Sequence, residues 1–292
     1  MLTSTKELLE TAQKHSYAVG AFNLYNLEGV KAVVKAAEAD KSPAIIQVLP
    51  HILEYGGSPL IALLLEAADS ATVPMSVHLD HCEDRDIIKM ALAAGVQSVL
   101  ADGSKFSYQE NLAFTREMTV LAHAQGATVE AEIGRISGTE DGMTVAEKEA
   151  KMTDPYQAKE FVEESGVDFL AVTIGNVHGK YHSEPRLDFG RLAKVRQQLQ
   201  IPLVLHGASG LPALMIQQSI ELGVSKFNVN TEVRQKYLQF WREYGRTNDQ
   251  TDLLDCQKVA TGAMQAVIAQ KIRLFGSAGK AQHVAEENHD SI

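Results

Sequence analysis

Apolar residues along this chain gather in short runs, and the stretches between the runs repeat apolar positions every three or four residues. A short apolar run between turn residues is typical of a buried strand, whereas the longer repeat is typical of a helix that buries one face. The pattern predicts eight strands, at Tyr17–Asn23, Pro43–Leu49, Pro74–Asp80, Val96–Asp102, Ala127–Ile133, Asp168–Ile174, Ile201–His206 and Val224–Asn230.

Predicted helices such as Leu27–Ala39 and Asp86–Ala94 separate the strands. Strict alternation of strand and helix implies parallel strands with right-handed crossovers, so eight units predict an α/β fold, a single closed (β/α)8 TIM barrel. The competing fold, an open doubly wound sheet, requires a glycine-rich fingerprint after the first strand. The sequence at that position is GAFNLYN, which does not match the fingerprint. Several helices end at a glycine, the usual residue for a left-handed helix cap: Gly95, Gly126, Gly166 and Gly223.

Two long connections follow the fifth and sixth strands, at Gly134–Pro155 and Gly175–Arg191, and neither reads as a strand or a simple helix. Both lie on the side where a barrel places its active site, and long loops there often act as lids. The polar, acidic segment Ala281–Ile292 reads as a loose tail. We therefore expect one barrel domain over residues 1–280, followed by a tail over 281–292.

Composition narrows the functional classes. The chain has 292 residues and a formal net charge of −10, so nucleic acid and anionic membranes are poor partners. Its two cysteines form no C-x-x-C motif, the amino terminus lacks the apolar core of a signal peptide, and no apolar run approaches the roughly 18 residues of a membrane span. These features favour a cytoplasmic globular protein.

Polar residues end most of the predicted strands, and in a barrel these ends converge on one mouth. Three of them are histidines from different units, His81, His178 and His206, and imidazole is the commonest protein ligand for zinc. From their positions alone, these three residues could also be ordinary histidines of the surface or the core. His78 alternates with Asp80, which predicts a buried, hydrogen-bonded support inside the barrel.

Carboxylates strengthen the metal interpretation. Glu130 and Glu132 alternate with apolar residues, so both should face the barrel interior, where a carboxylate is costly unless it is paired or bound to metal. Glu130 could form a structural ion pair with Lys226 inside the barrel. Glu132 lies nearer the mouth, and for this residue we favour a functional role. The small residues of Gly207–Gly210 and Asn228–Thr231 follow the seventh and eighth strands, where barrels most often bind phosphate.

Six motifs occur in order along the chain: HLDHC at 78–82, DGS at 102–104, EAEIGRISGTEDG at 130–142, GNVHGKY at 175–181, LHGASG at 205–210 and KFNVNTE at 226–232. By these motifs the chain resembles the class II, metal-dependent ketose-bisphosphate aldolases. The resemblance extends from Asn23 to FGSAGK at 275–280. It implies reversible cleavage of a ketose 1,6-bisphosphate, fructose 1,6-bisphosphate first and tagatose 1,6-bisphosphate as the alternative, by a homodimer or homotetramer.

The resemblance also implies roles for individual residues. Asp80 matches the catalytic acid and base, Glu140 a mobile acid that handles the carbon-bound proton, and three histidines the ligands of a catalytic Zn²⁺: His81, His178 and His206. Glu132 and Asp102 match positions that can hold a displaced metal ion or a second divalent or monovalent cation. Residues that match the dihydroxyacetone phosphate site are Asn23, Gly179, Gly207, Ala208, Ser209, Asn228, Val229, Asn230 and Thr231.

This sequence departs from the family pattern at Cys82, where a small residue is usual, and at Ser137, where a glycine is usual. Three other classes stay open. A class I aldolase would use a Schiff-base lysine, for which Lys226 and Lys180 are the candidates. A metal-dependent barrel hydrolase commonly carries an H-x-H on its first strand, and GAFNLYN has none. A non-catalytic sugar-phosphate-binding relative would keep the fold without the reaction.

Overall fold

A computed structural model describes residues 1–140, 143–145, 151–179, 181, 184–247 and 252–284, with only the backbone at 137–140, 143–145 and 245–247. Its strands are β1 (Val19–Asn23), β2 (Ala44–Val48), β3 (Met75–Cys82), β4 (Ser98–Ala101), β5 (Thr128–Ile133), β6 (Ser137–Glu140), β7 (Met143–Val145), β8 (Phe169–Val172), β9 (Val177–His178), β10 (Leu203–Leu205) and β11 (Val224–Val229). Its helices are α1 (Thr5–Lys14), α2 (Leu27–Ala39), α3 (Pro50–Ser70), α4 (Arg85–Ala93), α5 (Tyr108–His123), α6 (Pro155–Ser165), α7 (Phe189–Gln198), α8 (Ala213–Glu221), α9 (Thr231–Thr247) and α10 (Leu253–Leu274).

Eight strands close a parallel barrel in the order β1-β11-β10-β8-β5-β4-β3-β2, so the predicted TIM barrel is confirmed. Each of the eight predicted runs contains one barrel strand. Gly95, Gly126, Gly166 and Gly223 all have positive φ, between 72° and 98°, as left-handed helix caps require. Side-chain caps begin other helices, such as Asp84, which accepts hydrogen bonds from two backbone amides of α4.

Apolar residues fill two regions. Outward-facing strand residues pack beneath the helices, and inward-facing ones such as Val19, Ile45 and Phe169 fill the amino-terminal end of the barrel, against Leu8 and Leu9 of α1. Among the described residues, no helix is long and apolar enough to cross a membrane.

Residues 281–284 form a helical turn at the start of the predicted tail. Val284 is buried in the same cluster as α1, at the amino-terminal end of the barrel. The boundary predicted at residue 280 therefore precedes a segment that packs on the barrel, while 285–292 lie outside the described residues.

The two long connections contain strands that the sequence pattern did not predict. Strands β7, β6 and β9 form a separate sheet, in which β6 pairs antiparallel with β7 and parallel with β9. Gly138 of β6 lies opposite His178 of β9. The expectation that these stretches contain no strand was wrong, because the pairing of these short strands depends on neighbouring loops and not on an alternation of apolar residues.

Candidate active site

The inward side chains change character along the barrel axis. Towards the amino-terminal end they are mostly apolar, and from the middle of the strands to their carboxyl ends they are mostly polar and buried. Alternation along the strands places these polar residues on the inner face, as the sequence predicted for His78, Glu130 and Glu132. The polar group comprises Asn23, Gln47, His78, Asp80, Asp102, Glu130, Glu132, His206, Lys226 and Asn228.

Three side-chain amides bind the Asp80 carboxylate. Asn23 Nδ2 and Gln47 Nε2 donate to Oδ2 over 2.8 and 3.1 Å, and Asn228 Nδ2 donates to Oδ1 over 3.0 Å. Gln47 also donates to Asn23 Oδ1 over 2.7 Å. Because the donors come from three different strands, they fix the plane of a carboxylate that is only 2% exposed.

A bulge in β3 brings the next residue, His81, into the same site. The register between β3 and β4 shifts between Leu79 and Cys82, and His81 has φ of +45°. A regular strand would send Asp80 and His81 to opposite faces, whereas a bulge with an unusual backbone angle re-aims a side chain. Cys82 then packs into the hydrophobic cluster, where burial raises the pKa of its thiol to about 12.

The three predicted metal ligands lie together. One ring nitrogen from each of His81, His178 and His206 lies within 4.8 Å of the others. His81 Nδ1 is 2.7 Å from Asp102 Oδ2, and its Nε2 is buried with no hydrogen-bond partner among the described residues. Burial alone would lower the pKa of His81, but Asp80 and Asp102 raise it well above the usual value.

Two carboxylates bind the ring of His206. Its Nδ1 lies 3.0 Å from Glu132 Oε2 and its Nε2 lies 2.8 Å from Glu130 Oε1. Burial opposes a charge on His206, yet these two partners raise its pKa. Burial also opposes a charge on Glu130, but Lys226 at 2.8 Å and His206 hold the pKa of this carboxyl below its usual range. The predicted Glu130–Lys226 pair is present.

A close contact between the loops after β8 and β10 brings His178 near His206. Gly207 has φ of +66°, and a Cβ atom there would lie 2.1 Å from the carbonyl oxygen of Val177. Tyr181 Oη accepts from Val177 N and donates to the Gly207 carbonyl oxygen, over 3.2 and 3.1 Å. A side chain at position 207 would therefore separate the two loops.

The predicted phosphate loops lie at the same mouth. Ser209, Asn230 and Thr231 are buried or nearly so, and Tyr25 Oη donates to Asn230 Oδ1 over 2.8 Å. Gly179 has a positive φ of 84°, a backbone conformation that favours glycine at this position. Of these residues, Ser209, Asn230 and Thr231 follow the seventh and eighth barrel strands, where barrels most often bind phosphate.

Not every predicted residue presents a side chain to the site. Ala208 and Val229 are buried in the hydrophobic cluster beneath the helices, so only their backbones are available to a ligand. The backbone of Glu140 belongs to β6, and its side chain lies outside the described part of the chain. Lys180 also lies outside the described residues.

The sequence interpretation missed three residues of the site. Gln47 is a polar residue in an otherwise apolar strand, and its alternation with Ile45 was the signal for an inward side chain. Asn176 accepts from Ile174 N and donates to the His206 carbonyl oxygen over 3.0 Å. Tyr181 joins two loops. No spacing in the sequence marks the contacts of Asn176 and Tyr181, because they cross between loops.

The fold and the site together define the class of protein. It is a parallel-barrel enzyme with a candidate metal centre, formed by three histidines beside a buried aspartate at the mouth of the barrel. The chain matches the family model of the class-II fructose-bisphosphate aldolases over residues 3–280, and it belongs to this family. The protein is therefore an aldolase, a carbon–carbon lyase.

Solved structures agree with this assignment. A protein from Coccidioides immitis assigned as a fructose-1,6-bisphosphate aldolase is 38% identical, with a TM-score of 0.90 over 95% of this chain and 98% of that one. The YdjI aldolase from Escherichia coli K12 is 37% identical, with a TM-score of 0.87 over 96% and 100%. The fructose-bisphosphate aldolase of Campylobacter jejuni, 22% identical over 96% and 97%, shares the fold with a TM-score of 0.81.

Proposed function

We propose that this aldolase requires zinc and reversibly cleaves a ketose 1,6-bisphosphate, with fructose 1,6-bisphosphate as its substrate. The products are dihydroxyacetone phosphate and glyceraldehyde 3-phosphate. The observation that carries the proposal is the convergence of His81, His178 and His206 beside the amide-bound Asp80. The name of the family and that of the Coccidioides immitis relative support the choice of substrate.

The donor set fits a zinc ion. Three imidazoles with one open position are typical of catalytic zinc sites, and the buried Nε2 of His81 is the kind of orphaned atom that a metal completes. Asp102 fixes the orientation of the His81 ring, as carboxylates commonly do behind zinc-bound histidines. When bound, the metal supplies a Lewis acid for the ketose carbonyl. Glu132 and Asp102 remain candidates to hold a second cation.

Asp80 acts as the base in cleavage. It takes the proton of the C4 hydroxyl while the C3–C4 bond breaks, the C4 oxygen becomes the aldehyde carbonyl, and the bonding pair stays on the dihydroxyacetone phosphate half. Glu140 then delivers a proton to that carbon. In condensation both proton transfers are reversed. The three amides on Asp80 keep its carboxylate directed at one position.

Gly207–Ser209 and Asn228–Thr231 bind the phosphate of the dihydroxyacetone phosphate half. Backbone amides in glycine-containing loops point at anions, and the hydroxyls of Ser209 and Thr231 add donors. A net charge of −10 argues for such local groups and against a broad positive field.

The structure disfavours Lys226 as a Schiff-base lysine. Its Nζ is fully buried and donates to Glu130 Oε2 and Asn228 Oδ1 over 2.8 and 2.7 Å. A Schiff-base lysine needs a free amine that faces the substrate carbonyl. The same family chemistry can also serve tagatose 1,6-bisphosphate, which differs at C4 alone, so this sugar is the second candidate.

The test is retro-aldol turnover on fructose 1,6-bisphosphate, tagatose 1,6-bisphosphate and fructose 1-phosphate, with chelated protein and with zinc restored. We expect turnover with zinc only, fastest on fructose 1,6-bisphosphate. Faster cleavage of the tagatose sugar would reassign the substrate. Full turnover after chelation would contradict the zinc proposal, and no turnover with any sugar in the presence of zinc would favour a non-catalytic relative.

A further inference from the structure

A chain of hydrogen bonds crosses the barrel interior and joins the two halves of the site. Lys226 is at its centre, donating to Glu130 Oε2 over 2.8 Å and to Asn228 Oδ1 over 2.7 Å. From Glu130 the chain continues to His206 Nε2 over 2.8 Å, and from Asn228 to Asp80 Oδ1 over 3.0 Å. None of the five side chains belongs to a residue more than 8% exposed.

The branch through Asn228 has a defined direction. A lysine ammonium only donates hydrogen bonds, so it holds the amide oxygen of Asn228 towards itself. The amide nitrogen must then face Asp80, which as a carboxylate only accepts. Without the ammonium, the amide can rotate and present its oxygen to Asp80, which would repel the carboxylate.

The branch through Glu130 acts on a metal ligand. Lys226 holds one oxygen of this carboxylate, and the other accepts from Nε2 of His206. A proton fixed on Nε2 makes Nδ1 the nitrogen that would bind a metal, because the partner of one ring nitrogen sets the role of the other. A metal at Nδ1 would replace the contact with Glu132 Oε2, which lies 3.0 Å away in this structure. His78 lies 3.7 Å from Glu130, but burial and Lys226 lower its pKa to about 3, so it adds no charge there at neutral pH.

We propose that Lys226 is a positioning residue that orients the base Asp80 through Asn228 and the metal ligand His206 through Glu130. The inference rests on the proposed function, in which Asp80 and His206 have those roles. The competing explanation is that Lys226 only neutralises Glu130 inside the barrel. The two explanations differ in what happens when both charges of the pair are removed together.

The first variant is Lys226→Met, compared with wild type for zinc affinity by competition with a chelator, and for kcat and KM at saturating zinc. Groups that orient metal ligands typically change metal affinity or activity 10–100-fold. We expect both a loss of zinc affinity in that range and a fall in kcat with little change in KM. A Lys226→Met protein with wild-type zinc affinity and kcat would overturn the proposal.

The second variant, Lys226→Met with Glu130→Gln, removes both charges and keeps an acceptor for His206. Removing both members of a buried pair is usually far milder than removing one, so this protein tests the proposal even where Lys226→Met does not fold. We expect zinc affinity to recover while kcat stays at least tenfold low, because Asn228 still lacks its ammonium. Recovery of kcat as well would show that Lys226 only neutralises Glu130.

Two further comparisons complete the experiment. Lys226→Met combined with Asn228→Ala should lose less kcat than the product of the two single losses, because residues acting in series are not additive. A loss equal to that product would show that Lys226 does not act on Asp80 through Asn228. Asp168→Asn, which alters a buried carboxylate paired with Lys6 and His123 far from the mouth, controls for loss of stability alone.

A wild-type protein without zinc-dependent cleavage would overturn the proposed function and this role together, whereas wild-type cleavage with an unaffected Lys226→Met overturns this role only.

Discussion

Asp80 and His81 are adjacent in sequence, yet both side chains enter the same site, one bound by three amides and the other by Asp102. The positive φ of His81 makes this possible. Neighbouring residues thus have separate partners, and their contributions to the reaction can be separated by mutation.

Asp80→Ala should keep zinc bound and lose aldol cleavage. Its carboxylate contacts amides and none of the three clustered histidine nitrogens in the described structure, so the metal ligands remain. We expect cleavage to fall by roughly 10²–10⁴, the usual contribution of a general acid or base. Zinc content and kcat measured on one preparation check this. Loss of zinc to the same extent as activity would show that Asp80 supports His81 instead.

Glu140→Ala should differ from Asp80→Ala in a single assay, the exchange of the C3 proton of dihydroxyacetone phosphate with solvent. This step needs no base at the C4 hydroxyl, so Asp80→Ala should exchange faster than Glu140→Ala. Both variants should lose cleavage. Proton exchange followed by NMR in deuterated buffer gives the comparison, and a wild-type exchange rate in Glu140→Ala would transfer the role to Asp141.

Replacing any one of His81, His178 and His206 with alanine should reduce bound zinc and abolish turnover, because all three ligands, from separate segments of the chain, are needed to form one site. His51→Ala, on the exposed face of α3, is the control and should bind zinc as wild type does. Elemental analysis of the dialysed proteins measures the metal. Full zinc occupancy in all three site variants would mean that the metal binds elsewhere.

Gly207→Ala should weaken zinc binding without touching a ligand. The new Cβ atom would meet the Val177 carbonyl oxygen at 2.1 Å, and a left-handed backbone costs an alanine roughly 1–2 kcal/mol even without that contact. Gly262→Ala is the matched control, since nothing beyond the neighbouring backbone of α10 would lie within 4 Å of its Cβ atom. The control should be neutral or up to about 1 kcal/mol more stable. Chelator competition and thermal unfolding of both variants test this, and equal zinc affinity would be evidence against the loop contact.

Stability should fall with acid in part because of His78. Its folded pKa of about 3 lies below the ordinary 6.5, so between these values the unfolded chain takes up a proton that the folded protein does not. The contribution is complete above pH 6.5 and is lost as the pH falls. Between pH 7 and 5, protonation of His78 should lower the unfolding free energy of the wild type by about 2 kcal/mol. His78→Asn lacks this group, so its unfolding free energy should fall by about 2 kcal/mol less over the same range. Urea unfolding at both pH values measures this, and parallel curves would refute it.

The barrel and much of its site follow from the sequence because alternation determines which face a strand residue occupies. Asn23, Glu132 and Asn228 are inward for that reason, and the carboxyl ends of parallel strands must meet. Alternation fails at His81, which a regular strand would direct outward. Its place at a strand end marked it as a candidate and the family resemblance gave it a role, but neither predicted the bulge, which depends on the register of the neighbouring strand.

The pattern of apolar and polar residues along the chain could not predict contacts between loops. The pairing of β6 with β9, and the contact of Tyr181 with Gly207, depend on how close segments far apart in sequence come to one another. Val229 is a residue for which the motif match and the alternation disagree. The motif match assigned it to the ligand site, whereas alternation along β11 directs its side chain outward, beneath the helices.

The pairing of Gly138 with His178 has a consequence for turnover. The segment that leads to Glu140 is bonded to the segment that carries a candidate zinc ligand. Any swing of β6 away from the mouth must break this pairing or pull His178 along. If His178 holds the metal as proposed, the enzyme would face a compromise between fast release of its products and secure retention of the metal from one cycle to the next.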